Sequence, residues 1–189
     1  MQEVLPLEKL VFIDETWAKT NMTPLYGWAE IGKRVRDDVP QGHWKTTTFL
    51  AALRHEGLTA PMVLDWAING EWFLAYVEQI LLPTLKEGDI VVFDNLSSHL
   101  VAGVKVAIES VGAKVLPLPP YSPDLNPIEM VFSKLKTMLR KLKLRTMEEL
   151  WKKLGQLCDI FKQDECKNYC KHAGYKIKTI LSRPMTDTL

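Results

Sequence analysis

DIVVFDNLSSHLVAGVKVAIESVGAKVLPLPPYSPDLNPIE, residues 89–129, sets the order of elements around which the chain is read. Its first run, Ile90 to Phe93, is apolar at four successive positions, as a strand buried on both faces would be. Leu100, Val104, Ala107 and Ile108 then recur at helical spacing within residues 97–111. Ala113 to Leu118 reads as the next strand, and the stiff segment PPYSP (119–123) leads from it into another helix. Asn126 suits a helix cap, Pro127 the first helical position, and Glu129 then falls third, close to capping-box geometry. Strand, helix, strand, helix in this order implies parallel strands joined by right-handed crossovers.

Upstream, LVFID (10–14) is another apolar run that ends in an acid, and it reads as a strand. Thr46 to Leu53 and Met62 to Ile68 are rich in β-branched and apolar residues, with Glu56-Gly57 between them, which predicts an antiparallel hairpin. Residues 22–39 are loop-like, with a short strand expected over Tyr26 to Ile31. Phe73, Val77, Ile80 and Leu81 predict a helix ending near Pro83, and two last helices are expected over 146–161 and 163–172. The fold class is therefore α/β: a mixed sheet, antiparallel hairpins first and parallel strands after, flanked by helices. One domain is expected over residues 1–178, with 179–189 a frayed tail.

The 189 residues are 47% apolar and 25% charged, a composition that predicts one soluble globular domain. No apolar run approaches the ~18–20 residues of a membrane span, and MQEVLPLEKL at the start lacks an apolar signal core. Membrane and secretory classes are thereby disfavoured, and a cytoplasmic protein is expected. Three late cysteines, Cys158, Cys166 and Cys170, suit small core residues in a reducing compartment better than a disulfide framework or a metal site with His172. The six tryptophans are spread along the chain and are expected in the core. Net charge is +1, yet residues 133–153 hold eight Lys/Arg against two Glu, a local excess of +6 that leaves −5 elsewhere. Such clustering fits either a phosphate footprint or a solvated helix face.

Three acids stand at the ends of apolar or rigid segments. Asp14 follows LVFI, Asp94 follows IVVF, and Glu129 opens the helix after the Pro-rich segment, 35 positions beyond Asp94. Each also has an ordinary explanation: a turn for Asp14, an Asx turn or cap for Asp94, a capping box for Glu129. If the two strands are neighbours, Asp14 and Asp94 repel unless a divalent cation lies between them, and Mg²⁺ favours such all-oxygen sites. On the last of these helices, Ile128, Val131, Leu135, Met138 and Leu142 form the expected buried stripe. Glu129, Ser133, Lys136 and Arg140 share another face. Lys136 and Arg140 are candidate phosphate contacts, and His99, one turn beyond Asp94, is a candidate for DNA contact or proton transfer. Glu15, Asp65, Asp89 and Asp124 are the acids most easily confused with the site.

With these residues in place the chain resembles the catalytic domain of bacterial insertion-sequence transposases, most of all the insertion-sequence 630 family of the mariner-like superfamily. FIDETWAKTNMT (12–23), GHWKTTTFLAALRHEGLTAP (42–61), VVFDNLSSH (91–99), PPYSPDLNPIEMVFSKLK (119–136) and HAGY (172–175) carry the resemblance. It implies an RNase H-like fold and a catalytic Asp-Asp-Glu triad at Asp14, Asp94 and Glu129. The triad would hold two divalent cations, Mg²⁺ or Mn²⁺, for cleavage and strand transfer of DNA. It also implies the partners: element ends, a TA-containing target, and a second subunit when assembled on DNA. Members usually carry an N-terminal helix-turn-helix region. About ten residues precede the first catalytic strand here, so a separate reading frame is expected to supply that region.

Overall fold

Leu10, Val11, Phe12 and Ile13 are buried on both faces of a strand, and the other elements are arranged around them. The computed structural model describes residues 5–94 and 103–175. Five strands form one sheet in the order β3-β2-β1-β4-β5: β1 Leu10–Lys19, β2 Thr46–Arg54, β3 Gly57–Leu64, β4 Ile90–Phe93 and β5 Lys114–Pro117. β1, β2 and β3 pair antiparallel, and β4 and β5 add to β1 in parallel. This is the mixed sheet read from the sequence.

Helices cover both faces. α1 (Gly70–Tyr76), its π-helical continuation Val77–Leu81 and α2 (Val104–Ser110) pack with Val11, Ile13, Leu50, Ala52, Val91 and Phe93. α3 (Ile128–Leu142), α4 (Met147–Cys158) and α5 (Gln163–His172) pack with Leu10, Phe12, Phe49, Ala51, Leu53 and Val92. Alternate strand residues thus face alternate layers, and each fully buried Leu, Ile or Phe is worth roughly 1.5–3 kcal/mol. α1 is capped by Asn69, whose side chain accepts from the Trp72 N–H at 2.9 Å. α4 starts on a complete Thr146–Glu149 capping box. The three cysteines are buried thiols, as expected for core residues.

Several boundaries differ from those read in the sequence. β1 runs five residues beyond Asp14, because β2 continues to pair with it as far as Lys19↔Thr46 after β4 has ended. β3 begins at Gly57 and ends at Leu64, so Trp66 to Ile68 lie outside it. Tyr26 to Ile31 form no strand. They belong to an exposed loop between β1 and β2, whose base is pinned by Thr20 and Lys45: the Thr20 N–H donates to the Lys45 carbonyl at 3.1 Å and the Lys45 N–H to Thr20 Oγ1 at 3.1 Å.

The tryptophans are not core. All six are exposed, from 36% at Trp151 to full exposure at Trp28. The Trp66 and Trp72 rings meet at 5.0 Å, tilted by 55°, and Trp151 donates to Thr47 Oγ1 at 3.0 Å, so these rings pack while staying partly in water. The expected helix start near residue 97, His99, and the tail 179–189 lie outside the described residues.

Candidate active site

The register of the sheet brings the first two acids together. Leu10 pairs with Ile90, Val11 with Val91 and Phe12 with Val92, in parallel. Asp14 and Asp94 each stand two residues beyond the last of these pairs. They are therefore level, and both lie on the face occupied by Phe12 and Val92. That face is covered by α3, whose first turn carries Glu129. Asp14, Asp94 and Glu129 accordingly line the same two adjoining cavities, of about 430 Å³ and about 510 Å³.

The walls of these cavities differ in chemistry. The first is closed by Leu118 to Pro123, so apolar and proline surfaces stand opposite the acids; Tyr121 is fully exposed there at a left-handed φ of 57°. The second is bounded by Ser133, Lys136 and Arg140 of α3 and by Thr16 and Trp17 of β1. The face of α3 read from the sequence is thus assembled at the acids. The buried stripe differs slightly, running through Ile128, Val131, Phe132, Leu135 and Leu139. Leu142, the last residue of α3, is exposed.

Other members of the basic stretch serve the fold. Lys134 pairs with Glu165 at 2.6 Å and Lys143 with Asp37 at 2.5 Å. Arg145 donates to the carbonyls of Thr20 and Met22 at 3.1 and 2.9 Å. Lys136 and Arg140 stay on the cavity wall. Burial and the adjacent Arg140 hold the Lys136 ammonium below the ordinary lysine range, while Glu129 and Asp14 oppose that shift.

Asp14 is the most perturbed of the acids. Burial, then the charge of Glu15, then Asp94 and Glu129 push its carboxyl from 3.8 to about 7, against one stabilising bond from the Glu15 N–H to Oδ1 at 2.8 Å. Its Oδ2 accepts from Asn126 Nδ2 at 3.1 Å. Asn126 therefore does not cap α3 with its side chain: the amide turns to Asp14, and the helix opens on Pro127 without a side-chain cap. Sequence reasoning missed this residue because Asn-Pro-Ile-Glu is fully accounted for as a cap.

The confusable acids separate by their partners. Asp89 is buried and holds Arg54 at 2.6 Å and the Lys86 N–H at 2.8 Å, a structural role. Asp124 sits in the short turn Pro123–Leu125. Glu15 lines the second cavity beside the three acids.

All the donors that face the cavities from the three acids are carboxylate oxygens, which suits a hard divalent cation. The raised Asp14 carboxyl supports that fit, since crowded acids are relieved by positive charge. Among the described residues no three His, Cys, Asp or Glu side chains already enclose a point where one ion would sit. The acids line a shared space and do not form a closed cage.

A family model described as DDE superfamily endonuclease matches residues 9–151. The chain belongs to this family. The match begins just before β1 and ends in α4, so it spans all five strands of this DDE domain and all three acids. Solved structures give the same architecture. The Mos1 strand transfer complex shares 20% identity and a TM-score of 0.69 over 88% of this chain and 51% of that one. The mariner Mos1 paired-end complex with Mg shares 21% and 0.70 over 88% and 54%. The catalytic domain of Mos1 mariner transposase shares 20% and 0.61 over 88% and 76%. The fold of this DDE domain is thereby RNase H-like. The chain spans about half the length of the Mos1 chains in the two complexes. No curated protein matches it significantly. Among the described residues no helix is long and apolar enough to cross a membrane.

Proposed function

We propose that this chain is the catalytic part of a DNA transposase of the insertion-sequence 630 type, with residues 1–178 as its DDE domain. The observation that carries the reading is that Asp14, Asp94 and Glu129, from three separate elements, line one pair of cavities. Asp14, Asp94 and Glu129 hold two divalent cations, Mg²⁺ or Mn²⁺. Mos1 relatives were solved with Mg and with Mn, which is in keeping with that assignment. When bound, such cations activate the attacking oxygen and neutralise charge on the departing 3′ oxygen of a phosphodiester.

The protein's own groups do the positioning. Lys136 and Arg140 take phosphates along the second cavity, and the Pro-rich segment walls the first. Water attacks first, at an element end, and the freed 3′-OH then attacks target DNA by the same in-line geometry. Two subunits pair the ends, a separate helix-turn-helix product recognises them, and the target contains TA. Mos1 structures described as paired-end and strand transfer complexes support the pairing of ends and the strand transfer by likeness of fold. The protein works in the bacterial cytoplasm, at the nucleoid.

The test is an element-end duplex incubated with target plasmid and Mg²⁺, with the chain supplied alone and together with a helix-turn-helix partner. Joined products carrying the element's 3′ end in target DNA are expected with the partner present. Cleaved ends that never join would reduce the reading to an RNase H-like nuclease.

A further inference from the structure

Asn126 occupies the position of a helix cap and does not act as one. Its backbone is extended, with φ −106° and ψ 95°, between the turn Pro123–Leu125 and α3. An asparagine there ordinarily lends its side-chain oxygen to the first free N–H groups of the helix. Here α3 has no side-chain cap, and Asn126, only 4% exposed, spends its amide on Asp14. Its Oδ1 is buried without a hydrogen-bond partner among the described residues. An orphaned buried acceptor is destabilising, because it gives up its bond to water and gains none in the fold. Two local costs are thus met at a residue that joins β1 to the start of α3 across 112 positions of sequence.

The consequence falls on Asp14. Oδ1 accepts from the Glu15 N–H and Oδ2 from Asn126 Nδ2, so the plane of the carboxylate is fixed from both sides. Each oxygen has two acceptor sites, which leaves capacity on each for a ligand in the cavity. The turn bearing Asn126 is braced in its own right. Tyr175, the last residue of HAGY, donates its hydroxyl to the Leu125 carbonyl at 2.9 Å. Its ring meets Phe12 edge-on at 4.9 Å, and Phe12 lies two residues before Asp14 on the same face of β1. Tyr175, three residues past the end of α5, therefore ties the residue before Asn126 to the strand residue two before Asp14.

Building on the transposase reading, we propose that Asn126 is a positioning residue for the acid site. Its amide sets the Asp14 carboxylate to receive a divalent cation. Carboxylate ligands to metals are commonly oriented by such partners, whose loss costs roughly 10–100-fold in metal affinity or activity.

The experiment titrates Mg²⁺ into the full chain and follows thermal stabilisation without DNA. Nicking of supercoiled plasmid against Mg²⁺ is measured alongside. Asn126→Ala is expected to need about 10-fold or more additional Mg²⁺ for half-maximal stabilisation and nicking, with its metal-free Tm unchanged or raised. Asn126→Leu, which keeps the branched heavy-atom shape and removes both polar atoms, leaves no cavity and is expected to behave alike. Tyr175→Phe should shift the Mg²⁺ half-point in the same direction by less. Half-points for both Asn126 variants within about two-fold of wild type overturn the inference. Asp14→Asn, run in parallel, separates the two claims. If it loses Mg²⁺ stabilisation while the Asn126 variants titrate normally, the site reading stands and the positioning role falls. If Asp14→Asn itself titrates like wild type, both fall.

Discussion

With no cation bound, the Asp14 carboxyl gives up its proton near pH 7 instead of near 3.8. The unfolded chain releases that proton at the ordinary value, so between these limits the folded state binds more protons. The contribution is therefore fully present below about pH 3.8 and is lost as pH rises through about 7, on the order of 4 kcal/mol for a displacement of this size. Melts without divalent ions should show Tm falling from about pH 5 to about pH 8. Mg²⁺ should restore stability chiefly at the higher pH, and Asp14→Asn should flatten both trends. A wild-type Tm indifferent to pH and to Mg²⁺ would count against a cation at this carboxylate. Lys136 and Arg140 line the second of the two cavities with the opposite charge. Reversing both should weaken DNA binding and lower the slope of log affinity against log salt by about one to two, measured by fluorescence anisotropy. An unchanged slope would remove them from the phosphate path. At this scale the sequence was legible for the charged residues and poor for the rest. An asparagine before Pro-Ile-Glu can accept from a helix end or donate to an acid, and Asn126 does the second. Tryptophan counts as apolar by composition, yet its large ring can pack while staying partly in water, as at Trp66 and Trp151.

β1 shows why the elements were mostly legible and their ends were not. Its apolar core Leu10 to Ile13 must be buried on both faces, and that much is visible as a four-residue run. Its extension to Lys19 depends on Thr46 to Ala51 of β2 continuing to offer hydrogen bonds, a pairing that local sequence does not reveal. The same extension is why Asp14 sits within a strand and not at its end. It is thereby rigidly placed opposite Ala51 of β2, just beyond the reach of β4. α3 was read correctly in type and in its polar face, because Glu129, Ser133, Lys136 and Arg140 follow helical spacing whatever lies beneath them. The approach to β4 is fixed by an ion pair. Asp89 is buried against Arg54 at 2.6 Å, five residues from Asp94. Asp89→Ala should leave the guanidinium uncompensated and cost roughly 3–5 kcal/mol by chemical denaturation. Cleavage by the fraction still folded should be unaffected, in contrast to any change at Asp94. Loss of activity without loss of stability in Asp89→Ala would reverse these roles.

Across the whole molecule, the sheet order β3-β2-β1-β4-β5 is what turns distant acids into neighbours. Asp14 and Asp94 are 80 positions apart in the chain and level in adjacent parallel strands. α3 then crosses the same face and adds Glu129 from above. The family match over residues 9–151 and the shared Mos1 architecture agree with that arrangement. Five of the eight basic residues over 133–153 divide between two uses: Lys134, Lys143 and Arg145 hold elements together, and Lys136 and Arg140 stay at the site. The central claim is that Asp14, Asp94 and Glu129 act as one unit in phosphoryl transfer. Its most direct test is Mg²⁺-dependent cleavage of DNA by wild type, Asp14→Asn, Asp94→Asn and Glu129→Gln at equal folded concentration, in the reconstituted system with an end-recognition partner. Each single change should abolish cleavage to about the same floor, since removing any member disables the set. Cleavage by Asp94→Asn at the wild-type rate would contradict the account.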